Sequence, residues 1–243
     1  MDPRQEPGPP PKGRRLWKRV AIPIAALLLV YLVLAYMLVP VIWKRYQSRH
    51  PALDDIPRIT HTRSDIPGDP LNVALIGTDE EIIRNMLAAN WHPADPLTLR
   101  SCLGIAGATI LRRSYDDAPV SNLYLWGRKQ DLAFEQPAGN DPRKRHHVRF
   151  WRSGKVDRQG RPLWAGAATF DERVGFSHTT GQITHHIAAD VDAERDHLLQ
   201  DLEGTRNLAE VFILEGFHKI HEGKNGGGDP WRTGGNLTVG YLR

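Results

Sequence analysis

Cysteine is almost missing from this chain: Cys102 is the only one in 243 residues, which excludes an intrachain disulfide and a Cys-rich zinc site. No Gly-x-Ser-x-Gly elbow occurs, and Ser177 lies in a hairpin pattern rather than at a strand-to-helix turn, so a serine triad has no support. The glycine-rich stretch with Gly226, Gly227, Gly228, Gly234 and Gly235 lacks the Lys-Ser/Thr ending of a P-loop and reads as a flexible connection. A His-x-Thr element appears once, as His178-Thr179-Thr180, where a two-histidine phosphoesterase needs a second. No internal repeat is visible. The formal charge of +4 and pI near 9.3 suggest nucleic acid at first sight, but several of the basic residues crowd around one apolar segment, where membrane topology explains them. No nucleic-acid partner is expected.

What the chain does have is one long apolar run. Residues 20–43 carry no charge before Lys44 and exceed the roughly 20 residues that cross a bilayer, with Trp17 and Trp43 placed as interfacial anchors. A signal peptide would have a shorter apolar region and a small-residue cleavage site, which does not follow Leu38. Residues 1–19 form a Pro-rich basic tail expected to be disordered, residues 44–70 a Pro-rich spacer, and residues 71–243 the soluble domain. Arg4, Lys12, Arg14, Arg15, Lys18 and Arg19 precede the run, against Lys44, Arg45 and Arg49 just after it. The positive-inside rule then keeps the N-terminus in the cytoplasm and the domain outside, as a single-pass protein of the cell (inner) membrane.

The soluble part reads as α+β: a mostly antiparallel sheet with three packed helices, preceded by the transmembrane helix. Residues 72–77 suit a buried strand, and Thr78 with Glu81 makes a capping box for a helix burying Ile82, Ile83, Met86 and Leu87. A second helix is expected over residues 95–113, from Asp95 as N-cap to Arg112 and Arg113. Residues 122–126 and 131–135 flank a turn, and residues 147–152 and 163–169 make a further strand pair. A third helix spans residues 189–202 with Asp190 as N-cap and Gly204 closing it, and residues 208–214 and 237–242 are the last strands.

Three of the eleven histidines fall within residues 175–187. A two-residue Gly181-Gln182 loop suits a type II′ turn, whose first central residue needs φ > 0. That register sets His178 opposite His185, with Cβ atoms about 4.5–5.5 Å apart, so the two imidazoles converge on one metal ion or one phosphate. His186 then points to the other face with Ser177. The alternative is a solvated polar face. In the basic run 143–149, alternation puts His147 and Arg149 on one face and His146, Val148 and Phe150 on the other. Beside His178 and His185, that arrangement makes an anion site of guanidinium and imidazoles, or else a charged strand edge. Asp190, Glu194 and His197 share a helical face and add carboxylates suited to a divalent metal, zinc, manganese or iron; the macrodipole alone also favours acids there. His218 and His221 read as surface residues.

Several segments in order resemble the LssY C-terminal domain: Pro70-Leu-Asn-Val-Ala-Leu-Ile-Gly77, Ala94-Asp-Pro-Leu-Thr-Leu-Arg100, Ala118-Pro-Val-Ser121, Gln130-Asp-Leu-Ala-Phe-Glu135, Arg145-His-His-Val-Arg-Phe-Trp151 and His178-Thr-Thr-Gly-Gln-Ile-Thr-His-His186. The resemblance covers about residues 70–215 and implies a bacterial membrane-associated domain, found alone or joined to DedA-like and phosphatidic-acid-phosphatase-like membrane proteins. It implies no established reaction. Two classes of function therefore stand side by side: a binding domain for a metal ion or an anionic phosphorylated or lipid-derived ligand, and a metal-dependent or histidine-based hydrolase at the bacterial envelope.

Overall fold

The computed structural model describes residues 13–38, 56–94, 122–139, 141, 143–179 and 183–243. It divides the chain into two units, residues 1–50 and 51–243. In the first, helix α1 (Gly13–Val33) runs on into a π-helical turn, Leu34–Leu38. Residues 21–38 have mean hydropathy 2.5 and bury nothing against protein, so this helix is long and apolar enough to cross a membrane. It starts at Gly13, inside the stretch expected to be a disordered tail.

The second unit is α+β. Its large sheet has eight strands: β3 (Val73–Ile76), β4 (His92–Pro93), β7 (Leu132–Pro137), β8 (Arg145–Val156), β9 (Pro162–Phe176), β10 (Ile183–Ile187), β11 (Leu208–Leu214) and β14 (Leu237–Leu242). The order is β11-β14-β3-β9-β8-β7-β4, with β10 also paired to β9. Only the β14–β3 pair is parallel. The long β8–β9 hairpin is its spine, pairing Arg145 with Asp171 and Trp151 with Ala165.

Helices α2 (Asp79–Ala88) and α3 (Val191–Gly204) cover one face. Thr78 and Glu81 close the capping box over α2: the Thr78 hydroxyl accepts from Glu81 N–H, and the Glu81 carboxylate accepts from Thr78 N–H. Ile82, Ile83 and Met86 from α2 and Leu198, Leu199 and Leu202 from α3 pack on Val73, Leu75, Phe134, Val148, Phe150 and Trp164. The three-to-four-residue spacing of these positions is why the helices lie flat on the sheet. At its C-terminal end α3 turns through Arg206, at φ 61°, rather than at Gly204. The helix expected over residues 95–113 lies outside the described residues.

The other face has a second apolar cluster, built on Ala165, Ala167, Trp151, Ile76 and Val239 and covered by Ile56, Leu123, Leu125 and Phe217. Its cover is a four-stranded sheet, β2-β1-β5-β6, made of β1 (Ile59–His61), β2 (Pro67–Pro70), β5 (Tyr124–Leu125) and β6 (Arg128–Lys129). Two expectations change here. Residues 56–70 are part of the folded domain rather than spacer: alternation is too short to read through Pro57, Pro67 and Pro70, yet Ile56, Thr60 and Asp69 are buried. The hairpin from β5 closes on β6 through Trp126 and Gly127, both at positive φ, while residues 132–137 join the large sheet instead. The glycine-rich connection holds its own hairpin, β12 (Glu222–Lys224) and β13 (Pro230–Arg232).

Candidate functional site

On the face away from the helices, the apolar pattern of β8 and β9 gives way at one end to buried charge. Arg145, His147 and Arg149 follow one another at period two on β8, as do Thr169 and Asp171 on β9, and all five are buried. Arg145 is at the centre of one group: Nε donates to Asp171 at 3.0 Å, one terminal nitrogen to Glu135 at 2.9 Å, and the other to His185 Nε2 at 2.9 Å. Arg149 forms the second group, donating to Asp69 of β2 at 3.2 Å. Asp69 also accepts from the Asn225 amide at 3.3 Å, which ties it to the β12–β13 turn.

Part of this network lines a cleft of about 280 Å³. Asp69, Arg149, Thr169, Asp171 and His185 contribute the chemistry; residues 62–64 and 225–227 form walls. Burial pushes the Asp69 carboxyl up from its ordinary value, Asp171 and Asp229 add to that, and Arg149 and Asn225 oppose it without reversing it. Burial likewise holds the His147 imidazole well below 6.5, reinforced by Arg149, Arg145 and His185, so it is neutral. Its Nε2 is buried and has no hydrogen-bond partner among the described residues.

Beyond the cleft wall, His186 Nδ1 meets Asp229 Oδ1 at 2.5 Å, and the His178 ring sits 5.2 Å from the His186 ring. One ligand atom each from His178, His186 and Asp229 lies within 4.8 Å of the others. The β12–β13 turn makes this possible. Asn225 Oδ1 accepts from Gly227 N–H at 3.0 Å and Asp229 N–H at 2.9 Å, and His178 N–H donates to Gly227 O at 2.8 Å. Gly228 has φ 86°, and a Cβ there would stand 2.7 Å from His178 Cβ, so only glycine lets the two chains approach.

The sequence-derived pairing of His178 with His185 is therefore corrected. In β10, Ile183 pairs with Phe176 and His185 with Val174, so β9 ends before His178 and a longer connection replaces the two-residue loop. The proposed Gly181-Gln182 turn itself lies outside the described residues. His178 instead faces His186, while His185 turns to Arg145 and Asp171, its Nδ1 3.4 Å from Asp171. His147, Arg149 and His185 do share one side of the sheet, but His147 and Arg149 are buried and His185 is half-buried in the cleft, so they do not form a solvated edge. Asp190 caps α3 and pairs with Arg232 at 3.1 Å, away from any histidine. Glu194 is buried on the helix-covered face against His146 Nδ1 at 2.8 Å, with His146 stacked on His197. His218 is buried too, bonded to Leu71 O at 2.6 Å, and burial lowers its basicity.

Asp69, Arg145, Asp171 and Asp229 were missed as site residues. A lone aspartate inside a β pattern, as at Asp171, is unusual enough to be a signal. Nothing local marks Asp229, which meets His186 across a separation of 43 residues.

A mixed sheet with helices on one face and a polar cleft on the other defines an α+β domain. The chain belongs to a particular family of such domains, LssY C-terminus, which matches residues 53–237. That range agrees with a fold beginning before Leu71. Searches of curated proteins and of solved structures found no match.

Proposed function

We propose that this is a membrane-tethered domain that binds a small anionic, phosphate-bearing ligand in the cleft. The observation that carries the reading is Arg149 at the cleft, facing an Asp69 carboxyl that burial drives toward its neutral form. A neutral carboxyl donates a hydrogen bond to an incoming phosphate, and the guanidinium supplies the charge and fork geometry. The cleft is near the lower end of small-ligand sites, which suits a phosphate or a short phosphorylated head group. Helix α1 supplies the tether, and the basic residues before it favour a domain outside the cytoplasm in the inner membrane. Calorimetric titration of the full chain in detergent with inorganic phosphate and glycerol 3-phosphate is the test. Saturable binding that weakens at least 100-fold in Arg149→Gln and tightens as pH falls is expected. Equal affinity in Arg149→Gln sinks the reading.

The close Asp229–His186 pair favours a second reading, a metal-dependent or histidine-based hydrolase using the same cleft for its substrate. Turnover of a phosphate ester that disappears in His186→Gln supports it; turnover unchanged in that variant removes it.

A further inference from the structure

We propose that His178, His186 and Asp229 form a binding site for one divalent first-row transition metal, zinc by its donor set. The site needs no anion in the cleft and no turnover, so it stands or falls separately from both functional readings.

Two imidazoles and a carboxylate match the nitrogen and oxygen donors that zinc takes in three-ligand sites, which keep a further position open for water or substrate. Their ligand atoms already lie within 4.8 Å of one another. His186 is 2 % and Asp229 3 % exposed, while His178 is exposed and closes the site from the solvent side. The site thus has a buried floor and an open mouth.

The second observation concerns His186. Its Nδ1 is held by Asp229, and its Nε2 is buried without a hydrogen-bond partner among the described residues. A buried ring nitrogen with nothing to bond is unfavourable, and a cation at that nitrogen removes the penalty. The space is kept clear by Gly175 on the neighbouring strand: a Cβ there would lie 2.8 Å from His186 Nε2. A carboxylate bound to one nitrogen of an imidazole raises the basicity of the other and fixes its orientation, the usual support behind a metal-ligating histidine. Asp229 can fill that supporting role and still offer its second oxygen, Oδ2, whose hydrogen bond among the described residues is a long one of 3.4 Å from Ile187 N–H. His178 is not held by chance either, since its backbone is tied to Gly227 O and Gly228 leaves room for its Cβ. Both sides of the site are thus built by glycines at close approaches.

The full chain, purified in detergent and stripped with a chelator, is titrated with Zn²⁺ against a chromogenic competitor, and with Co²⁺ for its visible spectrum. One Zn²⁺ per chain and a tetrahedral or five-coordinate Co²⁺ spectrum are expected. His178→Ala, at an exposed position that does not threaten the fold, should weaken Zn²⁺ at least 100-fold. Asp229→Asn should weaken it about 10- to 100-fold, the range for loss of a supporting carboxylate. His185→Ala should leave Zn²⁺ affinity unchanged. Absence of stoichiometric zinc in the wild type, or wild-type affinity in His178→Ala, overturns the proposal, as does a loss in His185→Ala equal to that in His178→Ala.

Discussion

The large sheet shows two faces made from the same strands, and they are buried in different ways. Toward the helices, Val148 and Phe150 of β8 and Trp164 and Ala168 of β9 meet aliphatic side chains of α2 and α3. One residue along, Arg145, His147, Arg149 and Asp171 are as deeply buried but meet acids, imidazoles and loops. Helices bring apolar stripes whose backbone is already hydrogen-bonded, so they cover a dry face well. The small β2-β1-β5-β6 sheet and the β12–β13 turn cover the other face, where an apolar cluster sits beside buried charge and a cleft. Both faces carry an apolar cluster, and the face away from the helices carries the cleft as well.

The strongest way to break that comparison is to empty the dry face. Phe150→Ala removes a fully buried ring from the helix-covered cluster and should cost about 3–5 kcal/mol, read as the shift of the denaturant midpoint. A loss below about 1 kcal/mol would show that the helices do not pack on the sheet as described.

On the charged face the prediction has a different shape. Arg149→Met leaves the buried Asp69 carboxyl without its guanidinium partner and should cost about 1–3 kcal/mol, whereas Arg149→Met with Asp69→Leu should recover most of the loss. Phosphate binding should be lost in both variants. If the double variant is no more stable than the single, the pair is part of the scaffold and the division between faces fails. A smaller effect sharpens the comparison at its edge: Thr78→Ala opens the capping box of α2 and should cost about 1 kcal/mol without changing phosphate or Zn²⁺ affinity.

The dry face was legible in the sequence and the charged face was not, for a physical reason. Helix α2 announces itself through Thr78, Glu81 and a 3.6-residue stripe, and β8 through strict alternation, because both signals come from neighbours in the chain. The family resemblance found the domain, though not that it starts by Ile56. The register of β10 depends on which of its residues find partners across the fold, namely His185 with Arg145 and Asp171, and His186 with Asp229. Gly181-Gln182 as a local turn cue could not weigh those contacts. Asp69 was hidden between prolines and Asp229 in a glycine-rich stretch, where composition alone suggested a spacer and a flexible connection. His147, Arg149 and His185 lie on one side of the sheet, and the partners around them come from distant parts of the chain.

The subtlest test uses protons to tell the two faces apart. His147, and to a lesser degree His218, lie on the loop-covered side with basicity lowered by burial. The unfolded chain, with imidazoles near 6.5, then binds more protons than the native protein as pH falls. Stability contributed by these groups is therefore present above pH 6.5 and is lost on acidification through that value. Glu194, on the helix-covered side, has its carboxyl raised by burial, and so has Asp69. There the native state holds the extra proton, so the sign reverses: their contribution is present at low pH and is lost as pH rises from the ordinary carboxylate range through the raised values. His147→Gln should accordingly flatten the stability curve between pH 7.5 and about pH 5.5. Glu194→Gln should act with the opposite sign, removing a contribution that is lost as pH rises. Denaturation midpoints of the full chain across that range read both at once. A wild-type slope near neutrality that survives His147→Gln intact would mean that the slope does not come from the buried His147 imidazole.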